Sequence, residues 1–187
     1  MSQTILHADF ISLAKDVTRE ARRDLLTRAA DLVTINGVIA GASVDGDAGS
    51  DFDIALLFTV ESLQALEHFG TDARYLRFLR GDAAPALRAL AGADVRLESS
   101  LPPPGPYAAC LAVATAEETY DWQVKDALQA WADGVAGATT AVGLASTERQ
   151  RFRGLAFCAA AGPVSRPVDL PAGFAVTFVG GRARRLR

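Results

Sequence analysis

Two polar residues in the apolar stretch "TILHADFISL", residues 4–13, could carry proton chemistry: His7 and Asp9. If this stretch is a β-strand, both side chains point to the same face, because side chains alternate with period two. They would lie about 6 to 7 Å apart along the strand, and a nearby carboxylate raises the pKa of an imidazole. The pair therefore predicts general acid–base chemistry. The alternative is a structural role, with His7 hydrogen-bonded in place and Asp9 at a sheet edge or a wet barrel mouth.

A second pair of carboxylates, Asp51 and Asp53, follows Gly-Ser in "GSDFD". On one face of a strand, these two groups could hold Mg²⁺ and a nucleotide for nucleotidyl transfer. The third carboxylate that such a site uses has no clear candidate. The same turn lacks the ligand spacing and the final glutamate of a calcium loop. The sequence also has no glycine-rich phosphate loop and no G-x-S-x-G motif, and we expect neither a metal nor a cofactor.

The composition is that of an ordinary globular protein. The chain has 187 residues, 50% hydrophobic and 22% charged, with a net charge of −3, and such a balance does not favour disorder. No apolar run approaches the roughly 18 to 20 residues of a membrane span, and the first residues lack the layout of a signal peptide. We therefore expect a cytoplasmic protein without a membrane partner.

The chain ends in the arginine-rich stretch "GGRARRLR". A basic tail can bind nucleic acid, but this one lacks the interleaved aromatic residues on which bases stack. We therefore expect a solvated, partly disordered terminus and no nucleic-acid partner.

A proline-rich segment divides the chain into two parts. "SSLPPPGP", residues 99–106, cannot lie inside a helix or a sheet and reads as a linker. It separates residues 1–98 from residues 107–187. In the first part, apolar periodicity and turn residues predict strands over 4–12, 38–44, 52–60 and 93–99, and helices over 18–35, 61–69 and 72–90.

The second part repeats this order in a shorter form. A strand over 107–115 is followed by a helix that ends at "DG", residues 133–134, and then by strands over 139–146, 154–161 and 173–180. Thr115 and Glu118 have the spacing of a capping box at the start of the helix. The counterpart of the second helix is missing. The predicted fold class is α+β, with two tandem βαββαβ halves of which the second is reduced.

The first half resembles the stress-responsive dimeric α/β barrel (Dabb) family, which includes the olivetolic-acid-cyclase-like polyketide cyclases. Roughly residues 4–98 carry the resemblance, in the stretches "ILHADFISL", "DLVTINGVIAGASV", "FDIALLFTVESLQALEHF" and "TDARYLRFLRGDAAPAL". It implies ferredoxin-like halves whose two four-stranded sheets pair into an α+β barrel, because an open sheet has edges that must be paired or covered. The second half would stand in for a partner subunit, giving a monomeric pseudo-dimer. The alternative is a homodimer of first halves that the second half covers.

The resemblance also implies a cavity between sheet and helices, where a strand histidine, a tyrosine and a second histidine handle protons. His7 falls on the position of the strand histidine, Tyr75 replaces the second histidine, and Phe69 replaces the tyrosine. A tyrosine with a pKa near 10 is a poor base at neutral pH. We therefore expect Tyr75 to act as an acid or hydrogen-bond donor beside His7 and Asp9.

These residues predict a cyclase or related lyase-type proton-transfer enzyme that acts on a small, apolar, polyketide-like carbonyl substrate. Enolate chemistry at an activated C–H can run on positioned acids and bases alone, without a cofactor. The alternatives are a non-catalytic ligand-binding or stress-associated barrel and the nucleotidyl transfer described above. The side chains expected to bind the substrate in a wide cavity are Ile11, Leu25, Leu26, Ala29, Phe69 and Phe78.

Overall fold

The computed structural model describes residues 4–98, 100–115, 119–147, 150–167 and 171–187. In this part of the chain, eight antiparallel strands close into one barrel. The strands are β1 Ile5–Leu13, β2 Val38–Gly46, β3 Ile54–Val60, β4 Leu87–Leu97, β5 Tyr107–Thr115, β6 Thr139–Ala145, β7 Gly154–Ala160 and β8 Phe174–Leu186. The helices are α1 Arg19–Ala30, α2 Leu63–Thr71, α3 Ala73–Arg77 and α4 Asp121–Asp133. Short 3₁₀ helices span Asp31–Thr34 and Ala84–Ala86, and a π-helix spans Phe78–Ala83.

The barrel consists of two ferredoxin-like halves with the same strand order. The first sheet runs β4-β1-β3-β2, and the second sheet, taken in the corresponding order, runs β8-β5-β7-β6. Between β7 and β8, the described residues 161–167 and 171–173 form no helix. The prediction of an α+β barrel from tandem halves, the second one reduced, is confirmed.

Both edges of the first sheet pair with strands of the second half. β2 pairs with β8 from Gly41 to Gly46, and β4 pairs with β6 from Val95 to Leu97. Closure removes the exposed edges through which a sheet would pair with another chain. The second half therefore takes the place that a partner subunit would occupy, and the single chain is a pseudo-dimer.

Apolar side chains fill the barrel interior, and the outer face of each sheet packs against helices. Along β1, Leu6, Ala8 and Phe10 join an interior cluster to which all eight strands contribute. Ile11 and Leu13 join a separate cluster with α1, α2 and α3. Since side chains alternate along a strand, His7 and Asp9 lie on the outer, helix-facing side.

Local signals in the sequence account for the helix that covers this face. Thr18 Oγ1 accepts a hydrogen bond from the main-chain N–H of Ala21 at 3.1 Å and caps the start of α1. The predicted helix over 18–35 ends earlier, at Ala30, and continues as a 3₁₀ turn. Gly37 then takes φ +87°, where a Cβ would be strained, and redirects the chain into β2.

The structure corrects three boundaries. The helix predicted to extend to residue 90 ends earlier, and β4 begins at Leu87. Thr115 ends β5 and α4 begins only at Asp121, so the predicted capping box does not open this helix; Glu118 lies outside the described residues. The arginine-rich terminus is not a solvated tail, because β8 runs to Leu186 and pairs with β2.

Residues 100–106 form no helix or strand, as their prolines predict. Ser99, where the predicted linker begins, lies outside the described residues. Leu101 packs against the interior cluster and Pro102 is buried. The segment is therefore held against the barrel rather than hanging free.

Candidate functional site

The outer face of the first sheet carries a chain of hydrogen-bonded polar side chains beneath α2 and α3. His7 Nε2 lies 3.1 Å from the Tyr75 hydroxyl, which donates a hydrogen bond of 3.0 Å to Asp9 Oδ2. His7 Nε2 is also 3.4 Å from Asp9 Oδ2. The structure thus brings together the three residues that the sequence singled out for catalysis. Whether they catalyse is a separate question, and it stays a prediction.

A fourth member of the cluster was missed by sequence reasoning. His7 Nδ1 lies 2.6 Å from Asp94 Oδ1, and the two residues are direct cross-strand partners of β1 and β4. A signal was available, because Asp94 stands near the start of the predicted fourth strand, which adjoins the first strand in a ferredoxin-like sheet. We name this set of four residues, His7, Asp9, Tyr75 and Asp94, the His7 cluster.

The second half of the chain reaches the His7 cluster through Gln150. The Gln150 side-chain oxygen accepts a 2.9 Å hydrogen bond from the Asp94 main-chain N–H, and its amide nitrogen donates to Ser146 Oγ at 2.9 Å. The Ser146 N–H in turn donates to the Asp94 carbonyl oxygen at 2.9 Å. Two residues that follow β6 therefore fix the backbone of Asp94.

Tyr75 is positioned by a short helix with its own cap. The Asp72 carboxylate accepts from the Arg74 N–H at 2.8 Å at the start of α3. The Tyr75 ring packs against Phe69 at 4.6 Å between centroids, and Phe69 also contacts the His7 ring at 5.3 Å. Aromatic packing thus holds both the imidazole and the phenol in place.

Burial and two carboxylates set the charge of His7. Burial by itself lowers the pKa of an imidazole, but Asp9 and Asp94 outweigh it and raise the pKa of His7 to about 10. Burial and the Asp9 carboxylate also raise the pKa of Tyr75 above its usual value. At neutral pH, His7 is therefore an imidazolium and Tyr75 a neutral phenol, so both are proton donors.

Exposure distinguishes an inner and an outer part of the cluster. The Asp9 side chain is 3% exposed, whereas the side chains of His7 and Asp94 are 12% and 29% exposed. A molecule that approaches from solvent therefore meets Asp94 and His7 first. Asp9 and Tyr75 lie behind them and orient the ring.

A wide cavity between sheet and helices was expected, but the described side chains around α1 pack closely. Leu25 and Ala29 of α1 pack against the sheet instead of lining an open space, since they are only 3% and 0% exposed. The other expected lining residues in the same closed cluster are Ile11, Phe69 and Phe78. Leu26 is half-buried, packs against the same cluster and borders a cavity beside α1. The role of these six residues in substrate binding is untested.

A cavity of about 1190 Å³ lies in the second half, against α4. Its lining includes Trp122 and Trp131 from α4, Val164 from the loop between β7 and β8, and Phe174 at the start of β8. These are the two tryptophans of the chain. The space left by the missing helix is thus open to small molecules, and its walls are largely apolar.

Asp51 and Asp53 do not form a shared metal site. β3 begins at Ile54, so the prediction that the two carboxylates share one strand face is wrong. Asp51 Oδ2 accepts from the Phe178 N–H at 2.8 Å, while Asp53 Oδ2 accepts from the Leu13 N–H at 2.8 Å. Each carboxylate thus binds the main chain of a different strand. Among the described residues, no group of three His, Cys, Asp or Glu could hold a metal ion.

None of the described helices is both long and apolar enough to cross a bilayer.

Solved structures share this fold at low sequence identity. An anthrone oxidase-like protein aligns over 100% of this chain and 94% of its own, with 12% identity and a TM-score of 0.67. A proposed monooxygenase from Fusobacterium nucleatum covers 100% of this chain and 94% of its own, with 10% identity and a TM-score of 0.63. A Dabb family protein with a ferredoxin-like fold, from Mesorhizobium loti, covers 54% of this chain and 99% of its own, with 16% identity and a TM-score of 0.45. No protein-family model and no curated protein matches the chain.

Fold and site together define a class of protein. The chain is a single-polypeptide α+β barrel of two ferredoxin-like halves, in which only the first half carries the His7 cluster. At the corresponding places of β5, counted from the start of each strand, stand Ala109 and Leu111. The two halves therefore share one architecture but differ in the side chains at these places.

Proposed function

We propose that this protein is a cofactor-independent proton-transfer enzyme of the cyclase type, acting next to a carbonyl group in an apolar, polyketide-like molecule. One observation carries the proposal: the His7 ring, whose side chain is 12% exposed, is held between two carboxylates and a tyrosine hydroxyl. Perturbed ionisable groups of this kind concentrate at functional sites. The resemblance of "ILHADFISL" to the first strand of the Dabb family points the same way.

In the proposed reaction, Asp94 and His7 share the work at one face of the substrate. The Asp94 carboxylate accepts the proton from the carbon next to the carbonyl. The His7 Nδ1–H, which is paired with Asp94 before the reaction, then donates its hydrogen bond to the oxygen that becomes an enolate, because the protonated Asp94 no longer competes for it as an anion. The enolate carbon then bonds to a second carbonyl carbon of the same molecule. The oxygen of that second carbonyl takes the proton back from Asp94, so protons and charge balance.

The remaining two members support this pair without touching the substrate. Tyr75 accepts from His7 Nε2 and donates to Asp9, which fixes the orientation of the ring. The buried Asp9 carboxylate keeps the imidazole charged. A positioned acid and base of this kind contribute about 10²- to 10⁴-fold each to a proton-transfer rate.

Hydrogen–deuterium exchange tests the proton transfer without knowledge of the natural substrate. Benzylacetone, an apolar ketone, is incubated with the protein in D₂O at neutral pH, and loss of the ¹H signals next to the carbonyl is followed by NMR. We expect exchange above the buffer rate, and a fall of about 100-fold or more in that excess for His7→Gln and for Asp94→Asn. His68→Gln is the matched control, since His68 is the other histidine and its side chain is 53% exposed. Exchange at the buffer rate, or an equal loss in all three variants, would overturn the proposal.

A second candidate function, ligand binding without catalysis, is favoured by the cavity against α4. A volume of about 1190 Å³ is at the upper end of small-molecule sites. Because both tryptophans line it, energy transfer from tryptophan to the apolar dye 8-anilinonaphthalene-1-sulfonate reports on this place. Saturable transfer that Ala130→Phe abolishes, in a protein with no exchange activity, would favour this candidate; transfer that Ala130→Phe leaves unchanged would exclude it.

A further inference from the structure

Two adjoining cavities beside α1 are lined by an excess of basic side chains. The first, of about 430 Å³, contains Lys15, Arg19, Arg22 and Arg88 together with one carboxylate, Asp53. The second, of about 520 Å³, shares Arg19 and Arg22 with the first and adds Arg23 and Arg184. These six basic residues come from α1, the turn before it, β4 and β8. We name the pair of cavities the α1 groove.

The carboxylates at the α1 groove do not neutralise it. Asp53 already accepts from the Leu13 N–H at 2.8 Å, and Asp45 pairs with Arg22. Glu20 is the remaining acid among the lining residues of the two cavities. Six cations therefore face three carboxylates in a chain whose net charge is −3. The α1 groove is therefore positively charged although the chain as a whole is negatively charged.

Most of the cations in the first cavity lack an ion-pair partner among the described residues. Within the described part of the chain, Lys15, Arg19 and Arg88 take part in no ion pair. Like charges crowded around one cavity repel each other, and a bound anion removes that repulsion. These three side chains are therefore available to a ligand.

Arg22 provides an anchored donor at the junction of the two cavities. Its Nη2 donates to the Asp53 carbonyl oxygen at 2.6 Å and to the Asp45 carboxylate. Its Nε is buried and has no hydrogen-bond partner among the described residues. A buried donor without an acceptor costs free energy, and the guanidinium stays a cationic part of the wall that both cavities share.

We propose that the α1 groove binds a small molecule that carries two phosphate groups. Guanidinium forks match phosphate oxygens in charge and geometry, and two cavities that share Arg19 and Arg22 offer a place for each phosphate. The groove is separate from the His7 cluster, because Leu13 at its edge lies six residues along β1 from His7, about 20 Å. The proposal goes beyond the proposed function and does not depend on it.

Calorimetric titration with inorganic pyrophosphate and with orthophosphate, at low ionic strength, tests the inference. We expect pyrophosphate to bind at least tenfold more tightly than orthophosphate, since it reaches both cavities. Arg19→Gln, at the shared wall, should weaken pyrophosphate binding at least tenfold, and Arg88→Gln should weaken it less. Arg80→Gln is the matched control, because Arg80 is exposed and lines neither cavity. Thermal unfolding checks that each variant folds.

Three results would overturn the proposal: no binding of pyrophosphate, equal affinity for the two anions, or equal weakening in Arg80→Gln. Citrate distinguishes the anion class, and citrate binding as tight as that of pyrophosphate would exclude a phosphate site. Each measurement is made by direct binding. The binding result therefore does not depend on whether the protein transfers protons, and the exchange result does not depend on whether the groove binds pyrophosphate.

Discussion

Raising the pH from 7 to 9 should destabilise this protein through a single side chain, His7. Its pKa is 6.5 in the unfolded reference and about 10 in the folded protein. The folded state therefore holds the proton more tightly, and the stabilisation is complete below pH 6.5 and is lost as the pH rises through 10. At full strength, it amounts to about 5 kcal/mol, since each unit of pKa is worth about 1.4 kcal/mol.

Of this stabilisation, about half, roughly 2 to 3 kcal/mol, is lost between pH 7 and pH 9. Urea unfolding of the natural protein and of His7→Gln at both pH values measures it, because other titrating groups cancel in the difference. We expect the gap in free energy of unfolding between the two proteins to shrink by that amount on going to pH 9. In His68→Gln, the gap to the natural protein should stay constant.

The NMR ring signals of the two histidines give an independent measurement of the pKa of His7. His68→Gln assigns the remaining signal to His7, whose NMR titration midpoint should lie near 10. A midpoint near 6.5, or a free-energy gap that does not change between pH 7 and pH 9, would refute the reasoning. Either result would mean that Asp9 and Asp94 do not raise the pKa of the His7 imidazole, although both lie close to it.

Three further substitutions test other parts of the structure. Tyr75→Phe removes the donor to the buried Asp9 carboxylate, and should lower the free energy of unfolding in urea by about 1–3 kcal/mol; a change below 0.5 kcal/mol would mean that the hydroxyl is not a partner of Asp9. Gln150→Ala frees the backbone of Asp94 and should lower the NMR titration midpoint of His7. Gln129→Ala, on the exposed side of α4, should leave that midpoint unchanged. Equal midpoints in the two variants would contradict a role for Gln150. Gly181→Ala places a Cβ against the Asp45 carbonyl oxygen where β8 meets β2, and should lower the free energy of unfolding in urea by about 2 kcal/mol or more. Gly162 has open space around it, so Gly162→Ala should lower the free energy of unfolding by less than about 0.5 kcal/mol.

The sequence predicted the elements well where local physics governs them. Alternation along β1 placed His7 and Asp9 on one face, and Thr18 and Gly37 marked the limits within which α1 lies. The order of elements in the second half, with its missing helix, also followed from periodicity and turn residues alone. These features depend on neighbours a few positions away along the chain, which a sequence displays directly.

Packing was less predictable because it depends on how surfaces meet. Leu25 and Ala29 were expected to line a cavity, but periodicity does not say whether such apolar side chains fill a core or border a cavity. The C-terminal arginines looked like a solvated tail, yet β8 continues through them because β2 offers an unpaired edge. In both cases, a distant element determines the environment of the residue.

By itself, the sequence determined the α+β class, the two tandem halves and the shared face of His7 and Asp9. Only the tertiary structure decided which side chains contact His7. Asp94 is its partner because the register of β1 and β4 sets them directly opposite, and Gln150 joins because the second half closes the barrel against the first. Register and closure are fixed by contacts between residues far apart in the chain, and a two-residue shift of β4 would move Asp94 away while leaving every local pattern unchanged.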